Sequence, residues 1–297
     1  MLHANSLRAA IGTLRVMTTP ISFLSDFGHN DEFVGVVHGV IARIAPSIRV
    51  IDITHGIEHG NIHGGAMALT RAVQYMPDGV FLAVVDPGVG SDRRAVAVRT
   101  PVGYFVGPDN GVLAPAVAMV RGADLAVSLE DDRFRLPGKG LTFAGRDIFG
   151  PAAAVLASEQ ADILDLGPTI ETESLTPFLI PLSEPTGEGS IHGTVLWIDT
   201  FGNIQFNISP EDLGQVDVSE GEDVSVSFEM QEFRVSWSAT YGDVEEGEPV
   251  IHVDSYGQIA LAVRGGRADE DFALSVGDSV VLGRPGGGKP IPLQITR

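Results

Sequence analysis

The chain holds 297 residues, 44% of them hydrophobic, with a formal net charge of -20 at pH 7 and no cysteine. This length and apolar content make room for two domains of ordinary size and exclude a disordered chain. The acidic balance argues against a nucleic-acid backbone or an anionic membrane surface as partner, and the missing thiols exclude disulfides, cysteine nucleophiles and thiolate-held metals.

Residues 1–19 carry Arg8 and Arg15 among small and apolar side chains. They lack the long apolar core of a secretory leader and read as a disordered extension. No apolar run approaches the roughly 20 residues that span a bilayer, so a soluble, cytoplasmic chain is expected. From Ile21 to about Leu166, short apolar runs ended by turn residues predict strands over 21–24, 50–53, 80–85, 95–98 and 104–106. Between the first two, Phe33, Val36, Val37, Val40, Ile41 and Ile44 recur at helical spacing, with Asn30 or Asp31 as N-cap and Pro46 past the end. Strand, helix and strand in repetition imply an N-terminal α/β domain, residues 20–182, with a largely parallel central sheet covered on both faces. Over 183–190 the composition shifts to Pro, Gly, Glu and Ser, which reads as the linker. Beyond it the helix signal nearly vanishes. Strands are predicted over 194–198, 224–228, 233–237, 250–253, 259–263 and 279–282, so residues 191–297 should form an all-β C-terminal domain, a small barrel or a sandwich.

Four loops put polar residues or glycines directly after an apolar strand. Ser25-Asp26-Phe27-Gly28 carries a carboxylate that could grip a vicinal diol or merely cap a helix. Asp86-Pro87-Gly88-Val89-Gly90 follows the buried run at 80–85, and Arg93 could pair with Asp86 across the turn. A lone Asp-Pro-Gly would more often be a simple turn. Thr142-Phe143-Ala144-Gly145-Arg146-Asp147 precedes a small-residue helix whose first turn suits Pro151, and adjacent Arg146 and Asp147 are most often a structural ion pair. Asp199 and Asn203 flank the aromatic turn Thr200-Phe201-Gly202, which alone would be a hairpin. A rival metal reading rests on His55, His59 and His63 beside Asp52 and Glu58. The stretch 55–65 is too glycine-rich to hold a helix, so four-residue spacing loses its meaning there and solvent-exposed or capping histidines are favoured.

In order and spacing, Ser-Asp-Phe-Gly at 25, Asp-Pro-Gly-Val-Gly at 86 with its Arg93, Gly-Pro-Asp-Asn-Gly at 107, Thr-Phe-Ala-Gly-Arg-Asp at 142 and Ile-Asp-Thr-Phe-Gly-Asn at 198 resemble one family. It is the S-adenosyl-L-methionine hydroxide adenosyltransferases, relatives of the fluorinases and chlorinases. The resemblance implies an α/β domain followed by a β-barrel. It also implies a homotrimer whose sites lie between the first domain of one subunit and the second domain of its neighbour. Water would attack the ribose 5′ carbon of S-adenosyl-L-methionine in line with the departing sulfur, giving adenosine and L-methionine with neither cofactor nor metal. Asp86 and Arg93 match two members of the family's Asp-Arg-His set. The third should be a histidine where this chain has Ala144, through either a substitution introduced to weaken turnover or a natural member that works without the imidazole.

By the same resemblance Asp26 binds the ribose hydroxyls, Phe143 lies beside the sugar, Asp199 meets the methionine ammonium, and Asn203 with the backbone near Gly265 meets adenine. Phe201 belongs to the same substrate-binding set, Tyr241 packs on the base and Ser255 faces the methionine carboxylate. Tyr256 stands where fluorinating relatives have Arg, so the carboxylate clamp must differ. The halogenase alternative is opposed by the Asp86 carboxylate, which would repel an incoming halide, although Gly145 resembles a chloride-using relative. A non-catalytic module that binds S-adenosyl-L-methionine or adenosine is the other alternative.

Overall fold

A computed structural model describes residues 19–137, 140, 142–186 and 189–286, so the expected extension lies outside the described residues except for Thr19. The chain divides into two compact units, residues 1–178 and 179–297. Among the described residues no helix is long and apolar enough to cross a membrane.

The first unit runs β1 (Ile21–Ser25), α1 (Phe33–Ile44), β2 (Val50–Thr54), α2 (Ile62–Val73), β3 (Gly79–Val84), β4 (Ala95–Thr100), β5 (Gly103–Pro108), α3 (Ala114–Met119), β6 (Leu125–Ser128), α4 (Gly150–Ala157) and β7 (Thr169–Ile170). Its sheet has the order β2-β1-β3-β5-β4-β6-β7. The four strands from β2 to β5 pair in parallel, and β4, β6 and β7 extend the sheet antiparallel. Both faces are covered, as the apolar runs require. Along β3, Val80, Leu82 and Val84 enter one core with Phe23, Val37 and Ile41, whereas Phe81 and Ala83 enter the other with Leu69 and Val112. Alternate residues of a strand point to opposite faces, so a strand apolar at every position must be sandwiched. Each of the larger side chains, Val, Leu, Ile or Phe, contributes about 1.5–3 kcal/mol on burial.

Two local expectations are corrected. α1 starts at Phe33 with Glu32 in the capping position and no side-chain capping bond, so neither Asn30 nor Asp31 caps it. The glycine-rich stretch does enter a helix: α2 begins at Ile62, capped by Asn61, whose Oδ1 accepts from the Gly64 amide at 2.8 Å. Gly65 is there for close packing, since a Cβ on it would lie 2.8 Å from Val85 Cγ2. Side-chain absence costs about 1 kcal/mol of helix propensity, and the approach of α2 to the end of β3 offsets it.

The second unit runs β8 (Glu184–Pro185), β9 (Ser190–Ile198), β10 (Ile204–Phe206), α5 (Pro210–Gln215), β11 (Asp223–Phe228), β12 (Gln231–Trp237), β13 (Pro249–Val253), β14 (Ile259–Val263), α6 (Ala268–Asp271) and β15 (Ser279–Gly283). The order β10-β14-β13-β12-β11-β15-β9 is closed by pairing of β9 with β10, and β8 adds to β9. Closure leaves no unpaired edge around the barrel. Phe206, Val226, Val235, Ile251, Leu261 and Leu282 fill its interior. Thus β8 and the first residue of β9 lie within the Pro/Gly/Glu/Ser stretch at 183–190.

Candidate active site

The fully buried β3 delivers Asp86 past its carboxyl end, where crevices of open α/β sheets bind ligands. The turn after it is closed by the Val89 amide donating to the Asp86 carbonyl and by Gly90 at φ +83°. Arg93 returns from this turn, and its Nε donates to both carboxylate oxygens of Asp86 at 2.8 and 3.0 Å, with Nη2 donating to Oδ2 as well. The carboxylate is only 6% exposed and the guanidinium 15%. Arg93 also lies over the Phe149 ring, 5.2 Å from its centroid. A fork donating to both oxygens leaves the carboxylate one orientation. The Gly-Pro-Asp-Asn-Gly motif secures the same corner. Asn110 Nδ2 donates to the Val85 carbonyl at 2.8 Å, and Arg94 Nε donates to Asp109 at 2.8 Å.

Asp26 ends β1 beside β3 and shares a cavity of about 390 Å³ with Asp86, Phe143, Ala144 and Gly145. Its Oδ2 accepts from the Gly60 amide at 2.8 Å and lies 3.5 Å from Nδ1 of the exposed His59. The wall opposite the carboxylates is aromatic. Phe143 meets Phe27 edge-on at 5.7 Å and Phe33 at 5.1 Å between ring centroids. Gly145 has no space for a side chain here, because an added Cβ would lie 2.9 Å from Phe27 Cζ. From Gly145 to Phe149 the backbone forms one π-helical turn, with the Gly150 amide reaching the Gly145 carbonyl. Such turns are frequent at functional sites. Arg146 and Asp147 form the expected ion pair, at 2.6 and 2.8 Å.

Ala144 stands at the start of that turn and is 6% exposed. Besides the Asp26–Asp86 cavity it lines a second of about 530 Å³, with Arg135 and Asp147, and a third of about 310 Å³, with Arg93 and Arg135. Its methyl group is therefore part of the partition between the Asp26–Asp86 cavity and the two cavities behind it. An imidazole at this position would project from the same partition.

In the second unit Asp199 closes its own turn. Oδ1 accepts from the amides of Phe201 and Asn203 at 2.8 and 2.9 Å, and Oδ2 accepts from Asn203 Nδ2 at 2.8 Å. Phe201 projects from the tip and is 74% exposed. Tyr241 packs on His252, with ring centroids 4.7 Å apart. Partial burial, together with the charges of Asp199 and Asp254, raises the Tyr241 phenol above its ordinary range. Asp254 Oδ1 accepts from the Tyr256 amide at 2.8 Å, which sets the loop carrying Ser255 and Tyr256. Gly265 adopts φ +73° beside Glu246, a left-handed conformation that suits glycine. So Asp199, Asn203 and Tyr241 are brought together, while Gly265 lies in another loop.

The three histidines of the rival metal reading do not converge. His55 is buried, His59 is 91% exposed beside Asp26, and His63 lies in the first turn of α2 against Phe178. The triad that does converge among the described residues is His38, Asp52 and His55. Sequence reading also missed Phe27 and Phe33 as cavity walls and His252 beside Tyr241. Phe33 was legible only as the first apolar residue of a helix, and nothing local marks His252.

Fold and site together define a two-domain protein, an α/β unit with a carboxylate pair at its strand ends and a closed β-barrel. Models of the SAM hydroxide adenosyltransferase N-terminal and C-terminal domains match residues 21–167 and 193–281. The chain belongs to the S-adenosyl-L-methionine hydroxide adenosyltransferase family, as its five motifs lead one to expect. It is 43% identical over 258 residues to the (R)-S-adenosyl-L-methionine hydrolase of Salinispora tropica, covering 87% of this chain and 95% of the relative. The hydrolase of the same name from Thermus thermophilus is 39% identical over 272 residues, covering 89% and 99%. More distant relatives bear the name fluorinase. The crystal structure of an uncharacterized conserved protein from Thermotoga maritima superposes with a TM-score of 0.82 at 34% identity, covering 89% of this chain and all of that one.

Proposed function

We propose that this protein hydrolyses S-adenosyl-L-methionine to adenosine and L-methionine. The observation that carries the reading is Asp86, held in one orientation by Arg93 at the end of β3 and sharing a cavity with Asp26. Asp26 would hold the ribose hydroxyls and Phe143 would flank the sugar. Asp86 would orient a water molecule towards the 5′ carbon. The water oxygen forms the new bond to that carbon as the carbon–sulfur bond breaks. The electron pair leaves with the methionine sulfur, and the water's proton passes to Asp86 and on to solvent. The sulfonium is already an excellent leaving group, so the step calls for positioning and a proton acceptor rather than a resident cofactor.

Ala144 weakens this arrangement, since a methyl group can neither donate nor accept, and water beside Asp86 is then positioned from one side only. Substrate contacts survive, so binding outlasts turnover. In this proposal Asp199, Phe201, Asn203, Tyr241, Ser255, Tyr256 and Gly265 complete the substrate site from the second unit of a neighbouring copy in a homotrimer. The protein would work in the cytoplasm, where its charged substrate is found.

The test is incubation with S-adenosyl-L-methionine in chloride-free and chloride buffers, followed by chromatography of the nucleosides. Adenosine in both supports hydrolysis. 5′-Chloro-5′-deoxyadenosine formed only with chloride would replace it by halogenation, which the Asp86 carboxylate opposes by charge. Binding without any product would replace it by a non-catalytic module, the reading that Ala144 favours.

A further inference from the structure

Outside the cavity, three elements of the first unit bring potential ligands to one point: His38 from the middle of α1, Asp52 from β2, and His55 just past β2. The atoms they offer all lie within 4.8 Å of one another. His38 Nε2 is 2.8 Å from Asp52 Oδ1, and His55 Nε2 is 3.2 Å from the same oxygen. His55 is 0% exposed, whereas His38 and Asp52 reach the surface and give a path from solvent.

The fixed point of the cluster is His55. Its Nδ1 is 2.7 Å from Ser25 Oγ, which also accepts from the Phe27 amide at 3.3 Å. Its ring packs against Phe23 in a T-shaped contact, with centroids 4.6 Å apart. At its other nitrogen, buried Nε2 makes no hydrogen bond of good geometry, although Asp52 Oδ1 lies 3.2 Å away. A buried polar atom left in this way is rare and calls for an occupant. If Nδ1 carries the proton and donates to Ser25, a bare Nε2 lone pair faces a carboxylate oxygen and the second imidazole. That is the arrangement of a metal-ligating histidine, whose far nitrogen is anchored by an oxygen behind it.

We propose that His38 Nε2, His55 Nε2 and Asp52 form a binding site for a borderline divalent transition cation, zinc in the first instance. Two imidazoles and one carboxylate suit such an ion, and a tetrahedral site with bonds of about 2.1 Å needs ligand atoms roughly 3.4 Å apart, beside which Asp52 stands 2.8 and 3.2 Å from the two imidazole nitrogens. The fourth position falls to water or to His29, whose ring centroid is 5.5 Å from that of His55. None of the three ligands lines the Asp26–Asp86 cavity. The ion acts as a clip between α1 and the ends of β1 and β2. It bears on the loop carrying Asp26, because the Gly28 amide donates to the His55 carbonyl at 2.8 Å.

The experiment titrates the chelator-treated full chain with cobalt(II) and then zinc(II), followed by calorimetry, visible absorption and Tm. The expected result is one ion per chain, a ligand-field band from cobalt(II) that zinc(II) abolishes, and a metal-dependent rise in Tm. His38→Ala should lower affinity by at least about 100-fold, the upper end of what losing a mere outer partner does, and should remove the Tm rise. Ser25→Ala should weaken binding about tenfold by freeing the imidazole tautomer. His59→Ala and His63→Ala should bind as the parent does. Absence of stoichiometric uptake by the parent, or uptake unchanged in His38→Ala, overturns the site. The His38 change lies at the surface, and equal Tm values for the two metal-free proteins show that it still folds.

Discussion

Asn110 Nδ2 donates to the main-chain carbonyl of Val85 at 2.8 Å, one residue before Asp86, although the two lie 25 positions apart in the chain. The same side chain accepts from the Val112 amide through Oδ1 at 3.2 Å. Asn110 is thus a brace between the loop after β5 and the end of β3, the strand that aims Asp86. Asn110→Ala should cost about 1–3 kcal/mol of stability, because the Val85 carbonyl and the Val112 amide are left without partners. It should lower kcat more than it raises KM. Steady-state kinetics beside a denaturant curve separate the two effects, and a KM effect alone would contradict the bracing role.

Restoring a histidine at 144 is the direct test of the partition. Ala144→His should raise kcat with little change in KM, and Asp86→Ala made in that background should abolish the gain. Imidazole added to the unaltered protein should recover part of the same rate, since cavities adjoin the missing group on more than one side. Equal turnover with and without the histidine would remove position 144 from the mechanism.

Asp26→Ala should act on binding. On the proposed role it would delete a ground-state contact to the ribose, and it frees the Gly60 amide, so adenosine affinity measured by calorimetry should fall by roughly tenfold or more, about 1.4 kcal/mol. A variant that binds adenosine as tightly as its parent would rule out the diol-gripping role.

Gly145→Ala should tell whether the aromatic wall can yield. The new methyl would come within 2.9 Å of Phe27 Cζ, and overpacking of this kind costs about 1–3 kcal/mol. A lower Tm and weaker adenosine binding are expected together, because Phe27 faces both the methyl and the cavity.

Stability should fall as the solution is acidified through the histidine range. Burial lowers the His252 pKa below the ordinary 6.5. Between the folded and the unfolded value the unfolded chain binds the extra proton. The stabilisation is therefore complete above 6.5 and is lost as pH falls towards the folded value. Tm measured from about pH 7.5 to about pH 5.5 should decline, and His252→Gln should flatten the decline; an equally steep curve for the variant would place the titration elsewhere.

The amino-acid sequence by itself determined the class of each unit. A strand apolar at every position, as over 80–85, is consistent only with burial on both faces, and the succession of short strands after 191 marked an all-β unit, a barrel or a sandwich, whose closure is seen in the pairing of β9 with β10. Turn chemistry likewise pointed to Asp26, Asp86 and Asp199 at strand ends, because the Gly, Pro and Asn that follow them favour turns. These are local signals, set within a few residues by side-chain period and backbone freedom. Local reading failed where a helix start was decided by packing, as at Gly65, whose cost in propensity is offset by the approach of α2 to Val85. Tertiary structure alone decided which loops meet. The order β2-β1-β3-β5 sets Asp26 beside Asp86 and brings Asn110 under Val85. Packing of α1 over β1 and β2 joins His38 to an aspartate 14 residues later. It also replaces the expected histidine trio with His38, Asp52 and His55, because strand order and helix docking are fixed by the burial of whole faces and leave no mark at the positions they unite.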